Sequence, residues 1–142
     1  MARDKVNEID TPGITRNYAR ATGRIIMKEI TLYRILNNLL LKGNCIEISR
    51  LAGILAARKT FQLIPTAFPG NEFETNVLVS PLRDVTGLEI IAEVHSPGSR
   101  PEMEALTAVT VASLAVIDLC RDFDDTLRIP RIALAEDIPN DI

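Results

Sequence analysis

The sequence predicts an α+β fold in which helices cover one face of an antiparallel sheet. Three segments alternate apolar and polar residues with the period of two that a half-buried strand requires, a fourth strand closes the chain, and three segments carry the wider apolar spacing of a helix. Only a short turn segment, Pro81 to Thr86, separates the two middle strands, which makes them an antiparallel hairpin.

Each element has a local reason. Residues 1–12 are polar, end at the turn signal Thr11-Pro12-Gly13 and read as a loose N-terminal arm; residues 13–142 read as a single domain. The first strand spans Ile14 to Met27, where Ile14, Arg16, Tyr18 and Arg20 alternate with their neighbours. A helix from Lys28 to Leu41 follows, its apolar stripe formed by Ile30, Leu32, Tyr33, Leu36, Leu39 and Leu40, and it stops at Gly43. Asn44 caps the next helix by accepting from first-turn amides, with Glu47 placed to return the bond. Ile46, Leu51, Ile54 and Leu55 are expected to bury one side of it. Lys59 to Asn71 holds Pro65, Pro69 and Gly70 and reads as a structured loop. The hairpin strands run from Glu72 to Ser80 and from Gly87 to Val94. Pro101 suits the first position of a long helix reaching about Phe123, and the last strand is Leu127 to Leu134. Strand, two helices, two strands, helix, strand is the split order of a ferredoxin-like α+β domain.

The long helix is apolar on nearly every side, from Ala105 and Leu106 through Leu119. A four-stranded sheet covers one side, so the pattern points to a homo-oligomer, and Ala105, Ala108, Ala112 and Ala115 would let another helix approach closely.

Composition narrows the partners. Of 142 residues, 46% are hydrophobic and 25% charged, with a net charge of -3. That acidic balance offers no general attraction to nucleic acid or anionic lipid, and neither is expected as a partner. No apolar run is expected to span a bilayer, and Met1-Ala2-Arg3-Asp4-Lys5 lacks the apolar segment of a secretion signal, so a cytoplasmic location is expected. Cys45, Cys120 and the single His95 form no recognisable metal set; the thiols read as reduced packing residues, and no metal or cofactor is expected.

Several segments, taken in order, carry a resemblance: Ala19-Arg20-Ala21-Thr22-Gly23-Arg24-Ile25, Lys42-Gly43-Asn44, the run from Arg50-Leu51-Ala52-Gly53-Ile54 to Arg58-Lys59-Thr60, Leu63-Ile64-Pro65, Glu102-Met103-Glu104-Ala105-Leu106-Thr107-Ala108 and Asp118-Leu119-Cys120-Arg121. Together they resemble the cyclic pyranopterin monophosphate synthase family, the MoaC-type proteins of molybdenum cofactor biosynthesis. The resemblance implies a ferredoxin-like subunit, a hexamer built as a trimer of dimers, and a site at the dimer interface. There the family converts a cyclised dihydro-GTP intermediate, a GTP-derived pterin precursor, to cyclic pyranopterin monophosphate with loss of pyrophosphate. On this resemblance Asp118 and Lys42 are the candidates for proton transfer, and Arg16, Arg58, Glu102, Glu104, Arg121 and Phe68 are candidates for contacting substrate.

Departures from the family pattern bear on chemistry. Where members carry Cys-His-Pro after Leu-Ile-Pro-Leu, this chain reads Thr66-Ala67-Phe68-Pro69, so an apolar ring replaces a titratable group. Gly98-Ser99-Arg100-Pro101 stands for Lys-Thr-Gly-Val, Arg58 for the first lysine of Lys-Lys-Thr, and Thr11 for an early lysine. Arg121 replaces the lysine of Asp-x-x-Lys. Lysine can surrender its proton near neutral pH once its pKa is lowered, whereas guanidinium stays charged and offers a fixed fork to phosphate or carboxylate.

Each candidate also has a plain structural reading. Asp118 and Arg121 suit a surface ion pair, Glu102 and Glu104 complement a helix dipole, Lys42 and the Arg58-Lys59 pair suit helix ends, and Arg16 suits a solvent-facing strand position. Glu102 and Asp118 lie sixteen positions apart, roughly 24 Å along one helix at about 1.5 Å per residue, so a single small ligand meets both only if a second subunit supplies one. Two functions stay open at this level: a lyase of the synthase type, or a homologue that binds a purine nucleotide, pterin or protein partner without turnover.

Overall fold

A computed structural model describes residues 17–67, 73–98 and 100–135. The elements in order are β1 (Asn17–Ile26), α1 (Glu29–Leu36), α2 (Cys45–Leu63), β2 (Glu74–Pro81), β3 (Gly87–Ser96), α3 (Glu102–Cys120) and β4 (Arg128–Leu134). The four strands form one sheet in the order β2-β3-β1-β4, and every neighbouring pair is antiparallel. This is the ferredoxin-like arrangement the element order predicts.

Strand periodicity places the core. Ala19, Ala21 and Ile25 of β1 stand opposite Val94, Ala92 and Leu88 of β3, and all six are buried. Val77 of β2 extends the same face. The helices pack here, closely enough that two glycines are required. A Cβ on Gly23 would come within 2.6 Å of Val109 Cγ1 on α3, and one on Gly53 of α2 would stand 3.0 Å from the Ala108 carbonyl oxygen and 3.3 Å from Ala112 Cβ. With α2 beside it and the sheet beneath, α3 buries Ala105, Ala108, Val109, Ala112, Ser113, Val116, Leu119 and Cys120.

Several boundaries differ from the sequence reading. The first helix stops at Leu36 rather than Leu41, because the chain turns through Asn37 and Asn38, the latter at φ 54°. Asparagine tolerates this left-handed conformation better than most residues. Its buried residues are Thr31 and Ile35, while Ile30, Tyr33 and Leu36 of the expected stripe are exposed. Asn44 caps α2, accepting from the Glu47 amide at 3.1 Å, but the Glu47 carboxylate pairs with Arg50 at 3.2 Å. Lys59 to Leu63 is helix, not loop, since nothing breaks the pattern before Pro65. The face α2 buries is Cys45, Ser49, Gly53, Ala56, Ala57 and Thr60; Leu51 and Leu55 are exposed. Small residues win that face because α3 comes so near. Pro101 is the N-cap rather than the first helical residue, and α3 ends at Cys120 ahead of a turn.

By length and composition alone α3 is apolar enough to cross a bilayer, contrary to the expectation that no segment approaches that limit. Half of it is buried against the rest of the fold. Leu114, 53% exposed, marks a side of α3 that the subunit leaves uncovered, as the apolar pattern of the helix leads one to expect.

Candidate functional site

Two clusters occupy opposite ends of α3. At the C-terminal end, the turn leading into α2 carries Lys42, whose Nζ donates to the Asp118 carbonyl oxygen at 3.3 Å and lies 3.6 Å from Asp122 Oδ2. Gly43 makes that turn possible: its φ of 133° lies in the region side chains disfavour, and a Cβ would press on Ile48 at 2.8 Å. Asp118 holds Arg121 at 3.2 Å. Lys42, Asp118 and Arg121 are thus brought together, with the carboxylate holding the guanidinium and the ammonium held by a backbone oxygen and Asp122. All these side chains reach solvent, so the ion pairs themselves add little stability.

Next to Lys42 lies a cleft of about 280 Å³, lined by Arg34, Leu39, Leu40, Leu41, Lys42, Leu119, Asp122 and Phe123. The Arg34 guanidinium sits 4.8 Å over the Phe123 ring, within the range of a cation–π contact. Below this end, Asp124 is buried and accepts from the Thr31 hydroxyl at 2.6 Å, the Lys28 amide at 3.0 Å, and the Thr126 amide and hydroxyl at 2.8 and 2.6 Å. Burial pushes its carboxyl upward, but these bonds outweigh burial and hold it at about 2.

The N-terminal end of α3 carries the other candidates. Glu102 pairs with Arg100 at 3.2 Å and lines a second cleft, about 510 Å³, with Tyr18, Ala19, Arg20, Arg100, Leu134 and Ala135. Arg20 Nε is 3.8 Å from Glu93, too long for a hydrogen bond, and this buried N–H is unmatched among the described residues. Glu104 is 3% exposed, its Oε2 has no hydrogen-bond partner among the described residues, and burial raises its carboxyl above the ordinary range. Arg58 is an exposed residue inside α2. Because Gly53 touches Ala108 and Ala112, the antiparallel course of α2 carries Arg58 toward the Glu104 end of α3, away from Lys42.

The structure therefore gathers Lys42, Asp118 and Arg121 at one end and sets Glu102 and Glu104 at the other. Arg16 and Phe68 lie outside the described residues. Sequence reading missed Asp122, Arg34, Arg20 and Arg100. Asp122 adjoins Arg121 and had a signal in that spacing, whereas Arg34 and Arg20 enter their clefts through contacts distant in sequence. Among the described residues no group of three or more His, Cys, Asp or Glu side chains is placed to hold a metal ion.

Comparison with known proteins adds a family. A cyclic pyranopterin monophosphate synthase of Desulforapulum autotrophicum is 41% identical over 133 residues, covering 92% of this chain and 82% of that protein. The proteins of the same name from Chloroflexus aurantiacus and Listeria monocytogenes are 38% and 37% identical over 128 and 135 residues, covering 89% and 94% of this chain and 78% and 84% of those proteins. A designed protein with a ferredoxin fold, solved in solution, aligns with a TM-score of 0.45 at 11% identity over 86% of this chain and 88% of its own; the fold assignment rests instead on the strand order. The profile of the MoaC family matches residues 6–138, and with relatives of this identity over most of its length the chain belongs to the MoaC family.

Proposed function

We propose that this chain is a cyclic pyranopterin monophosphate synthase of molybdenum cofactor biosynthesis, a cytoplasmic lyase acting on a cyclised dihydro-GTP intermediate with release of pyrophosphate. The observation that carries the reading is the convergence of Lys42, Asp118 and Arg121, three positions matched to the family's motifs, at one end of α3. Lys42 is the proton carrier, because a lysine can give up its proton and take it back. Asp118 holds Arg121, whose fixed charge suits a phosphate rather than a proton relay. The Glu102 and Glu104 end, with Arg58 toward it, completes the site from a second copy, since about 24 Å of helix separates the two ends within one chain. Arg16 and Phe68 are assigned to substrate contact on the resemblance alone. The assembly that offers such paired ends is the hexamer built from dimers.

The test is a reconstituted assay with the cyclised dihydro-GTP intermediate. Lys42→Ala is expected to lose turnover by about 10²- to 10⁴-fold, and Lys42→Arg to bind substrate without turning it over. Wild-type turnover left intact by Lys42→Ala would place the chemistry on other residues. No wild-type turnover, with pyrophosphate or GTP still raising the melting temperature, would leave a binding protein.

A further inference from the structure

Cys45 and Cys120 are 75 positions apart in sequence, yet both are fully buried in one apolar cluster. Their separation in space follows from how α2 and α3 pair. The two helices run antiparallel and touch at Gly53 and Ala112, with a Cβ on Gly53 only 3.3 Å from Ala112 Cβ. Eight residues back along α2 and eight forward along α3 from that contact stand Cys45 and Cys120, the first residue of one helix and the last of the other. Equal steps along two antiparallel helices put both thiols at the same level of the pair, in the one apolar cluster they share, and a disulfide there needs their Cα atoms within roughly 4.4–6.8 Å. The two thiols interact there: the Cys120 sulfur and burial hold the Cys45 thiol far above its ordinary value, while Cys45 draws Cys120 below its own.

We propose that this thiol pair is an oxidisable site, closed to an intramolecular Cys45–Cys120 disulfide by a small peroxide, and that the bond clamps the two chain segments that bear Lys42 and Asp118. The Cys120 sulfur attacks one peroxide oxygen; the O–O bond breaks, and water leaves behind a sulfenic acid. The Cys45 sulfur then attacks the Cys120 sulfur, the S–O bond breaks and a second water departs. Two thiols lose two protons and two electrons in all, and the peroxide takes both. Access comes from position: each cysteine sits on a terminal helical turn, and opening one turn costs far less than unfolding the chain. The clamp would act where Lys42-Gly43-Asn44 enters α2 and where Asp118 and Arg121 flank Cys120.

The experiment uses the full chain, reduced with dithiothreitol and then exposed to hydrogen peroxide, denatured under a thiol-alkylating agent and weighed intact. The expected product is a monomer two hydrogens lighter with neither cysteine alkylated, and fully alkylated again after dithiothreitol. Amides at residues 42–45 and 118–121 should exchange more slowly in the oxidised chain. Alkylation of both cysteines after peroxide, oxygen added to one alone, or a disulfide only between chains would overturn the proposal. A further arm rests on the synthase reading: turnover should fall about tenfold or more on oxidation and recover on reduction, while the Cys45→Ala chain, oxidised at Cys120 alone, should keep its turnover. Oxidation that forms the bond and slows exchange but leaves turnover unchanged would overturn the link to the site. A chain without turnover in either state defeats the synthase reading, while mass and exchange still decide the disulfide.

Discussion

Two buried carboxylates on this chain have opposite fortunes, and environment alone separates them. Asp124 receives four hydrogen bonds from Lys28, Thr31 and Thr126 and is held at about 2. Its folded value lies below its unfolded one, so its contribution is complete above the ordinary carboxylate range and is lost as pH falls toward about 2. Asp124→Ala should cost about 2–4 kcal/mol, since it strands donors at the start of α1 and in the turn before β4, and urea titrations across this pH range should show the mutant losing less stability with acid than wild type. Glu104 is the reverse case. Its buried Oε2 has no hydrogen-bond partner among the described residues and burial raises its carboxyl, so the native state holds its proton more tightly than the unfolded chain, and stability falls as pH rises through that window. Glu104→Gln should raise the neutral-pH melting temperature of the ligand-free protein and remove that slope, while weakening substrate binding. A variant no more stable than wild type at pH 7 would show that Glu104 already has a partner in solution.

At the scale of elements, the packing of α2 on α3 is set by what α2 lacks. A larger side chain at Gly53 meets the Ala108 carbonyl, Ala112 and Val77, none of which is the free end of a flexible chain. Gly53→Val should therefore destabilise by about 1–3 kcal/mol in urea unfolding, even though glycine is the poorer helix former. The same packing explains which parts of the fold could be read beforehand. The hairpin strands declared themselves because one face is buried and the alternation of Thr75, Val77 and Val79 or Leu88, Ile90 and Val94 records it. In β1 the alternation marks Ile14, Arg16, Tyr18 and Arg20, whereas the core takes the alternate set Ala19, Ala21 and Ile25, whose two alanines carry little signal. The buried face of α2 did not declare itself, because Ser49, Gly53 and Ala56 carry little hydrophobic signal and are selected by closeness to a helix distant in sequence. Nor did the end of α1, fixed by two asparagines inside an apolar run. Within the site, motifs named Lys42, Asp118 and Arg121, but no local pattern shows that Asp122 would meet Lys42 or that Arg20 and Arg100 would share a cleft with Glu102.

For the whole molecule, the exposed side chains matter most. Leu36, Leu51, Leu55, Leu63 and Leu114 face outward from the helices of one subunit, and Leu39 and Leu41 from the segment between α1 and α2, more apolar surface than isolated exposed residues explain. Light scattering should find a hexamer, or at least a dimer; a stable monomer at micromolar concentration would defeat this and the shared site with it. The length of α3 then has a genetic consequence. If each site takes the Asp118 end of one helix and the Glu104 end of its neighbour's, no single chain owns a complete site. Two inactive variants, one changed at Asp118 and one at Glu104, would rescue each other when co-expressed: in a mixed dimer both lesions fall in one site and the other is intact. Random pairing would restore about a quarter of the sites, whereas a site built within one chain would stay silent in every mixture.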